Sequence, residues 1–124
     1  MALTTLLRLN ALSCLGFGAM FLLAPDRVAA FLGAVPPWFL RALGAGLLGN
    51  GLHLVAAARR SPRGWEIRWF SAGDAAWVAL TLGILAAGAW ITTPAGQAAA
   101  AAVAVGVGSL GALQWQTLAT QGRS

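Results

Sequence analysis

Four long apolar stretches are the feature of this sequence that most constrains its fold. They run over about residues 3–24, 38–58, 69–91 and 95–118, and each holds at most one Asp, Glu, Lys or Arg. An α-helix needs about 20 apolar residues to cross the ~30 Å hydrocarbon core of a bilayer. Each stretch is apolar all round rather than along one face, which is typical of a helix surrounded by lipid. The sequence therefore predicts one all-α membrane domain over residues 1–124, folded as an up-down-up-down bundle of four transmembrane helices.

The composition excludes a water-soluble monomer and a disordered chain. Hydrophobic residues make up 59% of the 124 residues and charged residues only 9%, whereas soluble domains carry about 25% charged residues. The net charge of +5 comes entirely from arginines, but these stand singly or at the edges of apolar runs, so we expect no nucleic-acid partner. The expected partner is the lipid bilayer, together with other membrane subunits or a second copy of the chain.

The arginines also predict an orientation in the membrane. Four of them lie in or beside the loop between the second and third stretches, and arginine-rich loops stay in the cytoplasm. With four spans, both termini are then cytoplasmic as well, and only Arg27 and Arg41 lie on the outer side. The six arginines predicted on the cytoplasmic side are Arg8, Arg59, Arg60, Arg63, Arg68 and Arg123.

Proline and glycine mark the connections between the spans. Pro25 ends the first stretch and Pro37 suits the first turn of the second helix. Between them, residues 27–32 predict a short helix on the membrane surface that Gly33 ends. Pro94 suits the first turn of the fourth helix.

Small residues recur at a spacing of four along all the predicted spans, which lets helix backbones approach closely in lipid. We therefore expect tight packing at these positions within the bundle. They are Cys14 and Gly18; Ala45 and Gly49; Ala79, Gly83 and Ala87; and Ala104, Gly108 and Ala112.

Polar and ionisable residues inside the spans are the main functional clue, because each is costly in hydrocarbon. His53 lies six residues before Arg59 and Asp74 six residues after Arg68, so both are predicted about 9 Å below the same boundary. Asn10 enters at a similar depth from the first span, as do Gln114 and Gln116 from the fourth, and Asn50 lies one turn deeper. The predicted buried polar cluster consists of Asp74, His53, Asn10, Asn50 and Arg8.

This cluster has two interpretations. In the structural one, Asp74 pairs with His53, Arg8 or Asn10 and fixes the packing of the helices. In the functional one, Asp74 and His53 form a proton- or cation-responsive site that Asn10 and Asn50 support by hydrogen bonding. Arg8 is only two residues from Asn10 and so lies on a nearly opposite helix face. Its long side chain is then free to reach the headgroups instead.

Catalytic chemistry is not indicated by any motif. The sequence has no nucleophile beside a base, no cluster of metal ligands and no phosphate-binding loop. Cys14 is the single cysteine, which excludes an intrachain disulfide. We therefore expect neither an enzyme nor a metal site. A third interpretation is axial ligation of a haem or a chlorophyll-type pigment by His53, with Gly49 leaving room for a flat macrocycle.

Three short segments carry a resemblance to a known group of proteins. They are Leu7-Arg8-Leu9-Asn10, Leu23-Ala24-Pro25 and Gly73-Asp74-Ala75-Ala76-Trp77. In these segments, and in size and topology over its whole length, the chain resembles small bacterial four-helix membrane proteins, including those grouped as DoxX-like. The resemblance implies location in a bacterial inner membrane. Small multidrug exporters also have four short helices, but they carry an essential acid in the first span, where this chain has none.

Two functions follow as expectations. The first is an accessory or structural subunit of a larger membrane complex, or a membrane protein that acts alone without catalysing a reaction. The alternative is a small proton-coupled transporter with Asp74 as its titrating group.

Overall fold

The computed structural model describes residues 2–60 and 62–121, and over these residues the chain is an all-α bundle of four long helices with one short helix. The prediction of an all-α bundle with four long apolar helices is therefore confirmed. The helices are α1 (Leu3–Leu23), α2 (Pro25–Leu32), α3 (Pro37–Arg59), α4 (Gly64–Ala87) and α5 (Pro94–Gln121).

The four long helices α1, α3, α4 and α5 are each long and apolar enough to cross a membrane. The outer surface of the bundle carries large apolar side chains, among them Leu12, Leu52 and Trp38, each at least 65% exposed. Extended apolar surface of this kind is unfavourable in water and normal against lipid. These features support the prediction of a membrane protein with four spans.

The short helix α2 confirms the prediction of a helix between the first two spans. It ends at Gly33, whose φ of 124° is readily available only to glycine. Gly33 also forms an antiparallel bridge with Ile91, and the N–H of Ala34 donates to the carbonyl of Trp90. The α2–α3 and α4–α5 connections are therefore joined at one end of the bundle.

The bounds of α4 differ from those predicted for the third span. The helix begins at Gly64 and ends at Ala87, whereas the apolar stretch covers residues 69–91. The helix starts earlier because the side chain of Glu66 accepts a hydrogen bond from the N–H of Arg63 and so caps the first turn. The end is set by Gly88, which adopts a left-handed conformation with φ 65°.

Helices α1 and α3 form a close antiparallel pair. A Cβ added to Gly18 would lie 2.9 Å from the carbonyl oxygen of Gly44, and one added to Gly51 would lie 3.3 Å from Cβ of Cys14. The stripe of small residues predicted on α1 therefore packs against a neighbouring helix, α3. On α3 the prediction was wrong, because Ala45 and Gly49 are exposed and Gly44 and Gly51 make the close contacts instead.

Helices α4 and α5 form the second antiparallel pair. Gly111 of α5 packs directly on Asp74, whose Cβ lies 2.9 Å from where a Cβ of Gly111 would be, and Gly108 packs on Val78. Ala104 is buried on the same face of α5. The small stripe predicted on α4 faces away from the bundle, since residues 79, 83 and 87 are exposed.

One apolar core cluster joins the two helix pairs. Leu7 and Leu54 come from the first pair, and Ile67 and Phe70 come from the second; all four are at most 2% exposed. A second cluster at the other end joins Phe21 and Leu40 to the connecting segments. The buried residues of the second cluster are Phe21, Val35, Leu40 and Ile91.

Candidate binding site between the helix pairs

Asp74 is held by two amide side chains from two different helices. Nδ2 of Asn10 on α1 donates to Oδ2 of Asp74 at 3.0 Å, and Nε2 of Gln114 on α5 donates to the same oxygen at 3.1 Å. Nδ2 of Asn10 also donates to Oε1 of Gln114 at 3.0 Å. The three side chains are buried, and together they link α1, α4 and α5.

The hydrogen bonding extends from this group to α3 through a cysteine. The Asn50 amide donates to Sγ of Cys14 at 3.5 Å, and the thiol donates to Oδ1 of Asn10 at 3.6 Å. We call these five residues the amide–aspartate network. Its members are Asn10, Cys14, Asn50, Asp74 and Gln114.

The network contains a carboxylate without a cationic partner. Among residues 2–60 and 62–121, the two ion pairs both involve Glu66 and neither involves Asp74. Oδ1 of Asp74 is also sparsely bonded, since its one hydrogen bond comes from Asn10 at a long 3.4 Å. One carboxylate oxygen thus retains capacity to accept a proton or to contact a cation.

Four members of the network line a cavity to which all four long helices contribute. The cavity has a volume of about 340 Å³, and its polar wall includes Asn10, Asn50 and Asp74. It opens at the surface of the bundle, where its wall includes the exposed residues Gly46 and Trp69. We call it the central cavity. Ligand sites in helical proteins commonly lie between the helices of a bundle and combine apolar walls with a few polar groups.

A second, apolar cavity of about 160 Å³ adjoins the central cavity. Val28 and Phe31 of α2 and the side chain of Trp90 contribute to its wall. The two cavities share four lining residues, so they lie directly next to each other. The shared residues are Phe17, Leu43, Trp77 and Val103.

A separate polar cluster lies where α3 connects to α4. The buried carboxylate of Glu66 accepts two hydrogen bonds from Arg60, at 2.7 and 2.6 Å, and one from the N–H of Arg63 at 3.0 Å. Nε2 of His53 lies 2.6 Å from Oε2 of Glu66. Hydrogen bonding to Glu66 raises the pKa of the Arg60 guanidinium above its usual value. This Glu66 cluster ties the end of α3 to the start of α4.

The structure brings together some of the residues predicted to form one polar site and separates others. Asp74 bonds to Asn10 directly and is linked to Asn50 through Asn10 and Cys14. Of the three partners predicted as alternatives for Asp74, Asn10 is therefore the one that bonds to it. His53 does not, because its imidazole binds Glu66 instead. Arg8 is exposed and takes no part in the amide–aspartate network.

Several residues of these clusters lie outside the polar site predicted from the sequence. They are Cys14 and Gln114 of the amide–aspartate network and Arg60, Arg63 and Glu66 of the second cluster. Gln114 is predicted at the right depth but not as a site residue. Glu66 lies between the second and third predicted spans. Its spacing three residues after Arg63, typical of a helix N-terminus whose acid reaches back to the backbone, is the pattern that would have identified it.

His53 does not fit the role of a haem or pigment ligand. Gly49 does leave open space one turn away, but Nε2 of His53 is already bonded to Glu66, which Arg60 holds in place. Within the part of the chain that the structure describes, no group of three or more His, Cys, Asp or Glu side chains is placed to hold a metal ion.

No protein-family model, curated protein or solved structure matches this chain. The resemblance to DoxX-like membrane proteins therefore stays a prediction.

Proposed function

We propose that this protein is a small proton-coupled membrane transporter in which Asp74 is the titrating group. The observation that carries the proposal is the position of Asp74, on the wall of a cavity to which four helices long and apolar enough to span a membrane contribute. No arginine or histidine of the described residues forms an ion pair with it. Ionisable residues in that setting are costly, and they commonly mark pathways for protons or substrates.

The hydrogen bonding of the network supports exchange of a proton for a positive group at one oxygen of Asp74. Both amide donors contact Oδ2 closely, which leaves Oδ1 able to accept a proton or contact a positive group. Either event neutralises the carboxylate without breaking the two amide hydrogen bonds to Oδ2.

Other titratable groups near Asp74 are engaged elsewhere. The Cys14 thiol donates to Asn10 rather than to the carboxylate, and Asn50 and Gln114 do not ionise. His53 and Arg60 bind Glu66 in the separate cluster. Asp74 is therefore the group that we expect to control proton binding in the central cavity.

We further propose location in a bacterial inner membrane, with both chain ends in the cytoplasm. The support for this orientation is the concentration of arginines at the α3–α4 connection, with Arg59, Arg60 and Arg63 within five residues. The resemblance to small bacterial membrane proteins supports the choice of membrane.

A second candidate function is an accessory subunit of a membrane complex. It is favoured by the complete hydrogen bonding of the interior, since no buried side-chain nitrogen or oxygen of the described residues lacks a partner. Gly46 and Gly49 also present an exposed glycine surface with open space around it, which suits close approach of another helix.

The test uses purified protein in liposomes that contain a pH-sensitive dye. Organic cations, organic anions, sugars and amino acids are added outside, one class at a time. We expect at least one class to change the internal pH with wild-type protein and with Asp26→Asn, an exposed acid on α2, but not with Asp74→Asn. If no class moves protons faster than in empty liposomes, transport is excluded and the accessory-subunit function is favoured.

A further inference from the structure

We propose that the two adjoining cavities bind a lipophilic organic monocation, with its positive group beside Asp74 and its apolar body extending toward α2. This inference rests on the proposed function in that it names the substrate class of the same site.

The charge of the site favours a cation. Asp74 brings one negative charge that no arginine or histidine of the described residues neutralises by an ion pair. In a medium of low polarity, the Coulomb attraction between the carboxylate and a nearby positive charge is far stronger than it would be in water. One charge on the wall matches one charge on the ligand.

The polar groups of the wall disfavour an anion. The amide N–H groups of Asn10 and Gln114 already point at Asp74, and that of Asn50 points at Cys14. The side chains that line the described wall include neutral donors but no arginine or histidine. An anion would therefore lie beside the Asp74 carboxylate without a cationic partner, whereas a quaternary or phosphonium cation needs no donor.

Aromatic side chains continue from the charged end to the apolar end. Trp77 lies one turn after Asp74 on α4 and, with Phe17, lines both cavities. Trp69, five residues before Asp74 on the same helix, also lines the central cavity. Aromatic faces attract cations, more strongly when water is excluded.

The apolar cavity is lined by side chains that suit a hydrocarbon body. Phe39 and Trp90 pack with their ring centroids 4.8 Å apart, and both line the apolar cavity together with Leu32 of α2. The central cavity, at about 340 Å³, is in the range of sites for drug-sized molecules, and the apolar cavity adds about 160 Å³ beside it. A ligand with a bulky aromatic body and one charge fits this arrangement.

The test measures binding of radiolabelled methyltriphenylphosphonium to detergent-solubilised protein by equilibrium dialysis. The neutral isostere 1,1,1-triphenylethane has the same shape without the charge and is the matched competitor. We expect saturable binding of one cation per chain, poor competition by the isostere, at least tenfold weaker binding to Asp74→Asn, and unchanged binding to Asp26→Asn. Equal binding of the cation to Asp74→Asn, or equal competition by the isostere, overturns the proposal.

Wild-type protein gives an independent readout if Asp74→Asn does not fold. In weakly buffered solution, cation binding at Oδ1 displaces a proton from Asp74, so the affinity falls as the pH is lowered and protons are released on binding. Binding that neither depends on pH nor weakens in Trp77→Leu overturns the site. If the protein binds the cation but no compound moves protons in liposomes, the proposed function is overturned and this inference stands. If another class of compound drives proton movement and the protein does not bind the cation, this inference is overturned and the proposed function stands.

Discussion

Nδ2 of Asn10 lies 3.0 Å from Oδ2 of Asp74, and this contact links the first and third membrane spans across the centre of the bundle. The two residues are 64 positions apart in the chain. Because Asn10 also donates to Gln114, one amide connects three spans. The contact therefore joins the two helix pairs and sets the position of the candidate site.

Replacing Asn10 by alanine removes the donor shared by Asp74 and Gln114. Leaving buried acceptors without partners costs about 1–3 kcal/mol, so we expect a loss of that size in the free energy of unfolding. Titration with a denaturing detergent, followed by circular dichroism, measures it. Ser13→Ala is the control, because Ser13 lines the same cavity without belonging to the network, and an equal loss in both variants would contradict the assigned role.

Replacing Gly18 by alanine tests the close contact between α1 and α3. The added methyl group would meet the backbone oxygen of Gly44 at 2.9 Å, and overpacking of this kind costs about 1–3 kcal/mol. Gly16 on the same helix has open space around it, so Gly16→Ala is expected to leave the unfolding free energy unchanged or slightly raised. The same unfolding titration distinguishes the two variants, and equal behaviour would show that the helices do not approach closely at Gly18.

Replacing Glu66 by glutamine tests the cluster at the α3–α4 connection. The amide keeps the size of the side chain but removes the charge that Arg60 and His53 contact. We expect a loss of about 1–3 kcal/mol, the cost of unpaired buried polar groups, and a smaller effect at high salt, since Arg60 is 46% exposed. The control is Asp26→Asn, which makes the same chemical change at an exposed site and should leave the free energy of unfolding nearly unchanged. If Glu66→Gln also leaves it unchanged, the cluster does not stabilise the α3–α4 connection.

The proposed orientation predicts that both chain ends are on one side of the membrane. Tags at the two termini should be protected from an external protease in sealed right-side-out vesicles and cleaved in inverted ones. Thr92→Cys in a Cys14→Ser background should show the opposite accessibility to an impermeant thiol reagent, because the α4–α5 connection lies at the other end of α5. Cleavage of only one of the two tags in a given vesicle preparation would exclude an even number of spans.

The sequence was sufficient for the parts of the fold that depend on local hydrophobicity and on chain-breaking residues. It predicted four long helices, and it predicted that Gly33 ends the short helix. It did not predict that Gly88 ends α4 before Trp90, because the apolar run continues through that point and a left-handed cap is a property of the backbone.

The candidate site was predicted in part, because depth in the membrane is readable from the sequence and the rotation of each helix is not. Asp74 and Asn10 were expected at the same level and are in contact. His53 was expected at that level too, but the face of α3 that carries it turns toward Glu66. The same lack of rotational information explains why Ala45 and Gly49 were selected and Gly44 and Gly51 were not.

The protonation of Asp74 can be followed directly by infrared spectroscopy. The chain contains only two aspartates, Asp26 and Asp74, so protein labelled with ¹³C at the aspartate carboxyl and carrying Asp26→Asn reports one labelled side chain. We expect a neutral-carboxyl band that appears and disappears reversibly as the pH is changed, and that is lost when methyltriphenylphosphonium is added. A carboxyl of Asp74 that stays in one protonation state from acidic to alkaline pH, with and without the cation, would contradict its role as the titrating group.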